Sequence, residues 1–382
     1  MRIGLITGEY PPLPGGVGDF TRQLALALVA LGHAVHVLTT RRVNPPPADP
    51  GIEVTPIVAG WGWRSLWTAR RWSAAHALDV VNLQYQIAMY DLAAPIHFLP
   101  DLIDRPCAVT FHDLRNPYLF PKAGRLRPAA VTRLARRACA AIATDPTDAD
   151  ELRKRGVRAV SQIPIGSNIA VRPPAGYDRT VWRAAHGLAP DDFVIGYFGF
   201  LNASKGGDTL IAALANLVRS GAPARVLLIG GAAGASDPTD AAFGAQLAAR
   251  IAAEGLSERV ARTGYLPEAE TSAALLACDA IAMPYRDGAS LRRGTLMAAL
   301  AHGLPIVSTT GPSQSADLRD GGALRLVPPD APTALADALA TLRRDPALAA
   351  RLGAAAAALA TDFGWDAIAA RSVAVFATCR AR

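Results

Sequence analysis

Apolar residues in the first half of the chain come in short runs, at 2–7, 34–39, 79–83, 107–111, 141–144 and 159–163. Each run has the length and side-chain character of a buried strand. Between them, apolar positions recur at helical spacing, most clearly over 17–31 and 129–137. Strand, helix, strand at this spacing predicts right-handed βαβ units and a parallel sheet. A Pro-rich stretch at 44–50 predicts a surface loop, and Val171-Arg172-Pro173-Pro174 a linker. The pattern then starts again, with strands predicted at 194–198, 225–229, 260–263, 280–283 and 305–308. Helices are predicted from Gly207, Asp240, Glu268 and Thr295. Residues 331–360 predict one Ala-rich helix, Phe363-Gly364-Trp365 interrupts it, and 366–379 predict a last helix. The expected class is therefore α/β, with two doubly wound Rossmann-like domains over 1–172 and 173–365. Such sheets bind ligands outside the carboxyl ends of their strands, which predicts a cleft between the two sheets' carboxyl ends.

A length of 382 residues, about twice the usual domain size, agrees with two domains. Cys107, Cys139, Cys278 and Cys379 lie far apart and show no metal-ligand spacing. They predict buried thiols in a reducing compartment rather than a disulfide scaffold. The opening MRIGLITGEY is too short and too polar for a secretory signal, and no apolar stretch reaches about 18 residues. The expectation is a cytoplasmic chain, able to rest peripherally on a membrane surface. Its net charge of +7 resides entirely in residues 1–172, since the remainder is balanced. Between Asp113 and Asp145 there are seven bases and no acid: Arg115, Lys122, Arg125, Arg127, Arg133, Arg136 and Arg137. Such a face is either a solvated helix surface or an attractor for a phosphorylated substrate or anionic lipid. Nucleic acid is disfavoured, because no aromatic-rich or recognised binding motif accompanies the charge.

Four elements carry candidate chemistry. Gly8 to Gly18 follows the first strand and opens a helix; Gly15 and Gly16 remove Cβ atoms where backbone approaches a ligand, and the helix start, with Val17, offers N–H groups to a phosphate. A second Gly-rich turn, Phe198 to Gly207, presents Asn202 and Lys205 after a strand, where the ammonium can meet a diphosphate. Residues 287–295 place Ser290, Arg292, Arg293, Gly294 and Thr295 before another helix start, a further anion-friendly turn. Last, His112 ends a predicted parallel strand, where it can donate to a sugar hydroxyl, with Asp113 orienting it or capping the next segment.

Taken together these motifs resemble glycosyltransferase family 4, retaining enzymes of the GT-B fold. The resemblance runs nearly end to end through Tyr10-Pro11-Pro12, Gly15-Gly16, Gly32-His33-Ala34-Val35, His112-Asp113, Ser204-Lys205-Gly206, Gly264-Tyr265-Leu266 and 299–305. It implies that Gly16 and Val17 contact the donor phosphate or transferred sugar, that His112 bonds that sugar, and that Lys205 holds the diphosphate. It implies that Tyr265 and Leu266 seat the base, and that helix 366–382 completes the N-terminal domain. Catalytic candidates are thus His112 and Lys205. The activity implied is a metal-independent hexosyl transfer from a nucleotide-diphosphate sugar to a glycan, lipid-linked or phosphorylated acceptor. No metal ligand and no cofactor beyond the donor are expected. Donor would bind the C-terminal domain and acceptor the basic N-terminal one.

Two departures stand out. Ser290 and Ala298 occupy the places of the family's usual glutamates, and Phe200 that of a frequent arginine. Arg292 and Arg293 are expected to restore positive charge near the phosphates, and Ser290 to bond a sugar hydroxyl. Two other readings stay open: a sugar-nucleotide 2-epimerase of the same fold, and a nucleotide-sugar-binding protein with weakened catalysis.

Overall fold

The computed structural model describes residues 1–114, 126–199, 201–231 and 238–380. Arg115, Lys122, Arg125, Phe200 and the side chain of Arg127 lie outside what it describes. The chain forms two units, Met1–Gly166 with Phe363–Arg382, and Ser167–Asp362.

The first unit is built on a seven-stranded, all-parallel sheet of β1 (Arg2–Ile6), β2 (Ala34–Thr40), β3 (Ile52–Val58), β4 (Val80–Tyr85), β5 (Cys107–Phe111), β6 (Ala140–Ala143) and β7 (Val160–Gln162). Its strand order is β3-β2-β1-β4-β5-β6-β7. Ile3, Leu5 and Ile6 of β1 are fully buried, as a central parallel strand covered on both faces requires. The helices are α1 (Gly16–Ala30), α2 (Trp63–Ala75), α3 (Leu99–Leu102), α4 (Leu126–Arg137), α5 (Pro146–Lys154) and, from the far end of the chain, α13 (Trp365–Arg380). Phe376 and Ile368 of α13 are buried in the same core as Leu24 and Leu28 of α1. Trp365 packs 5.2 Å from the Phe20 ring. Burying one such side chain contributes roughly 1.5–3 kcal/mol.

The cysteine expectation holds for two of the four residues and fails for the other two. Cys139, just after α4, and Cys379 in α13 form a disulfide across 240 residues of sequence. Cys107 and Cys278 are free and buried, and burial pushes both thiols up to about 12. Sequence separation hid the pair, because only the return of α13 brings the two residues together.

The second unit repeats the plan with β8 (Phe193–Phe198), β9 (Ala224–Ile229), β10 (Val260–Gly264), β11 (Ala280–Met283), β12 (Ile306–Thr309) and β13 (Arg325–Val327). The sheet is again all parallel, in the order β10-β9-β8-β11-β12-β13. Both sheets therefore reverse their winding beside the first strand, at β1/β4 and β8/β11. Helices α6 (Arg179–Ala185), α7 (Gly207–Arg219), α8 (Pro238–Ala253), α9 (Glu268–Leu276), α10 (Gly294–Ala301), α11 (Pro332–Arg344) and α12 (Pro346–Ala360) cover it.

Two expectations are corrected here. The predicted single helix over 331–360 is two, because Pro346 cannot continue α11 and instead starts α12, capped by Asp345 accepting from the Leu348 N–H at 2.9 Å. Val171–Pro174 is no free linker but belongs to the second unit. The Ala170 N–H donates to Glu268 Oε1 at 3.0 Å and the Arg172 N–H to Ser272 Oγ at 3.1 Å.

Candidate active site

In the first unit the switch point between β1 and β4 is flanked by the Gly8–Gly18 loop and by the ends of β4 and β5. Gly15 and Gly16 do open α1, but a carboxylate already occupies the helix start. Glu9 Oε1 accepts from the Val17 N–H at 3.0 Å and from the Gly18 N–H at 3.1 Å. A Cβ on Gly15 would collide with the Glu9 carboxylate at 2.2 Å, whereas a Cβ on Gly16 would meet open space. Burial raises the Glu9 pKa, and the two N–H donors oppose that rise. Any ligand phosphate reaching Val17 must therefore displace Glu9, a residue the motif reading passed over.

His112 sits at the end of β5, its own N–H bonded to the Tyr85 carbonyl at 3.1 Å. Its Nε2 lies 2.8 Å from Gln84 Oε1, and its ring meets Phe20 edge-on at 4.7 Å. Gln84 Nε2 donates in turn to Asn82 Oδ1 at 2.5 Å, and Asn82 exchanges hydrogen bonds with Thr110. Because Gln84 Oε1 is an acceptor, this network assigns the ring proton to Nε2. Burial lowers the His112 pKa to about 3, so the imidazole is neutral at neutral pH. With that proton Nε2–H donates to Gln84 Oε1, and Nδ1 is the acceptor of the ring. Gln84, from β4, is a partner that orients the ring.

In the second unit three turns meet at the β8/β11 switch point. Asn202 accepts from the Lys205 N–H at 3.2 Å and shapes the turn that carries Lys205. A Cβ built on Gly199 would lie 2.8 Å from both Lys205 Nζ and Thr295 Cγ2, so the ammonium and the start of α10 converge on that glycine. Thr295 Oγ1 is also 2.9 Å from the Tyr285 hydroxyl. The side chain of its N-cap residue, Arg293, makes no cap bond to α10, and the first turn of the helix holds no acid. The helix start and the lysine together make an anion-favouring corner.

Arg286 fixes this corner. It bonds Asp208 Oδ2 at 2.7 Å, Asp330 Oδ1 at 2.9 Å and the Ala203 carbonyl at 2.5 Å, and its N–H donates to the Ser204 carbonyl at 2.9 Å. Arg293, expected to supply charge to phosphates, is ion-paired with Asp287, and its guanidinium lies 4.1 Å over the Tyr285 ring. Its charge is thereby largely neutralised locally. Ser290 is only 3% exposed and accepts from the Arg292 N–H at 3.3 Å, so its hydroxyl first of all shapes the turn. Ala298 is buried in α10. Tyr265, after β10, is 81% exposed, with Leu266 half-buried beside it. Gly294 has open space where a Cβ would stand, with Asn168 Oδ1 nearest at 3.8 Å.

Comparison with known proteins matches this architecture. Residues 15–166 fit the family model of a glycosyl transferase 4-like domain, and residues 192–345 that of the glycosyl transferases group 1. The D-inositol 3-phosphate glycosyltransferase of Nocardia farcinica is 31% identical over 210 residues, 54% of this chain and 44% of that protein. This match spans less than half the length of that relative. The phosphatidyl-myo-inositol mannosyltransferase of Mycobacterium leprae is 27% identical and covers 99% of this chain and 97% of its own. Among solved structures, sucrose-phosphate synthase from Thermosynechococcus elongatus superposes with a TM-score of 0.78 at 21% identity. It covers 99% of this chain and 98% of its own, a likeness of fold.

Proposed function

Because this chain belongs to glycosyltransferase family 4 and has its GT-B fold, we propose that it transfers a hexose with retention from a nucleotide-diphosphate sugar. The observation that carries this reading is the convergence of Lys205 Nζ and the acid-free start of α10 on Gly199. As the glycosidic bond breaks, negative charge grows on the departing diphosphate. A fixed ammonium and aligned N–H groups meet that charge without rearranging, and the step needs no metal. Neutral His112 accepts a hydrogen bond from a hydroxyl of the transferred sugar. Tyr265 and Leu266 flank the base. With no glutamate at positions 290 and 298, donor affinity rests on backbone and lysine contacts more than on carboxylates.

For the acceptor, the basic first unit supports a phosphorylated or lipid-linked compound. The names of the two relatives, one acting on an inositol phosphate and one on a phosphatidylinositol, support the same class. Among the described residues no helix is long and apolar enough to cross a membrane. Peripheral docking on anionic lipid is favoured by Trp63 and Trp67, both more than half exposed on α2, and by a groove lined by Arg133, Arg136, Arg137 and Arg155. Interfacial tryptophans and surface arginines are the pairing such a membrane recruits.

The decisive experiment is Lys205→Ala, assayed by turnover with the donor that stabilises the protein most in a thermal-shift screen of sugar nucleotides. Turnover is expected to fall about 100- to 1,000-fold, the usual cost of losing one group that stabilises a developing anion. Unchanged turnover and unchanged nucleotide-diphosphate affinity would overturn the reading.

A further inference from the structure

At the edge of the first unit's sheet, β2 and β3 pair in parallel with His36 opposite Glu53, so both side chains leave the same face. Helix α2 covers that face and ends there, with His76 as its C-terminal cap. The His36 and His76 rings lie 4.5 Å apart. Both turn Nδ1 to one carboxylate oxygen: Glu53 Oε2 is 3.0 Å from His36 Nδ1 and 3.6 Å from His76 Nδ1. The His36 side chain is only 8% exposed, and its Nδ1 is buried without a hydrogen bond of acceptable geometry.

We propose that His36, Glu53 and His76 bind one Zn²⁺ ion, which pins edge strand β3 and the end of α2 to β2. The three donor atoms lie within 4.8 Å of one another. A tetrahedral zinc with ligand bonds of about 2.0–2.1 Å sets its donors about 3.3 Å apart, between the two observed spacings. Two imidazoles and a carboxylate form a donor set suited to zinc, with a fourth position open to water because Glu53 is 57% exposed. The ligands are also held from behind. The His76 N–H donates to the Trp72 carbonyl at 3.1 Å, and the His76 carbonyl accepts from Arg2 Nε at 2.7 Å. That bond engages the nearby positive charge. Trp72 Nε1 donates to Thr55 Oγ1 on β3, tying helix to strand beside the site. None of these residues belongs to the turns that carry His112 or Lys205, so the inference stands apart from the proposed transfer.

The test is metal stoichiometry of the full chain. Apo-protein is titrated with Zn²⁺ against a chromophoric chelator, and with Co²⁺ for the visible absorption of a tetrahedral site. One equivalent per chain is expected, together with a raised melting temperature. Glu53→Gln and His76→Gln, both altering partly exposed side chains, should each weaken binding at least tenfold. Stoichiometry near zero, or affinity unmoved by both substitutions, would overturn the proposal and leave the trio a hydrogen-bonded cluster.

Discussion

Gly206 gives a sharp test of how the Lys205 turn is held. Its φ is +66°, in the left-handed region, and a Cβ there would stand 2.0 Å from the Pro284 carbonyl oxygen. The turn has no room to retreat, because Arg286 grips the Ala203 and Ser204 carbonyls. Gly206→Ala therefore combines a left-handed alanine, costing about 1–2 kcal/mol, with overpacking against backbone, costing about 1–3 kcal/mol. The total is about 2–5 kcal/mol. Gly221 is the matched control: φ is +80°, yet nothing lies within 4 Å of a Cβ built there. Gly221→Ala should show the backbone cost alone, about 1–2 kcal/mol. Urea denaturation, read by hydrogen exchange in β8, β9 and β11, compares the two within one unit. Equal losses, within about 0.5 kcal/mol, would refute the argument that Pro284 and Arg286 enclose this turn.

Two other predictions follow from the first unit. Since His112 titrates near 3 in the fold and near 6.5 unfolded, its contribution to stability is full above about 6.5 and is lost as pH falls toward 3. Between pH 7 and 5 the wild type should lose about 2 kcal/mol more unfolding free energy than His112→Gln, and parallel pH curves would contradict the assignment. The α2 surface should co-sediment the protein with anionic but not neutral vesicles, and Trp63→Ser with Trp67→Ser should release it. Equal recovery on both vesicle types would remove the membrane reading.

The sheets were legible in the chain because parallel strands buried on both faces, such as β1, β5 and β11, are predominantly apolar runs. Two of the four edge strands, β3 and β13, escaped that signal. In β3 the run carries Glu53 and Pro56, which an edge tolerates, and β13 is only three residues long. Helix α2, with three arginines and exposed tryptophans, lacks an apolar stripe clear enough to announce it. At the candidate site, the glycine turns and Lys205 stand out because the chemistry proposed for them follows from local sequence. Their supports do not. Glu9 acts eight residues away, Gln84 supports His112 across 28 residues, and Arg286 reaches Asp208 across 78. Arg293 shows the converse: a charge readable in sequence was assigned to a ligand, while the fold pairs it with Asp287.

The path of the chain through the first unit bears on how this molecule can be taken apart. A Cβ on Gly166 would meet the Phe363 carbonyl oxygen and Trp365 at 2.9 Å, so the points where the chain leaves this unit and re-enters it are neighbours. The second unit is thus topologically an insertion, spliced into the first at a single seam. Joining Gly166 to Phe363 through a few flexible residues should yield the seven-stranded unit alone, with α13 and its disulfide in place. A swap of the second unit between relatives should likewise be cut as a cassette with two adjacent ends. An exchange made at one midpoint crossover would strand α13 on the wrong parent and expose the core around Phe376.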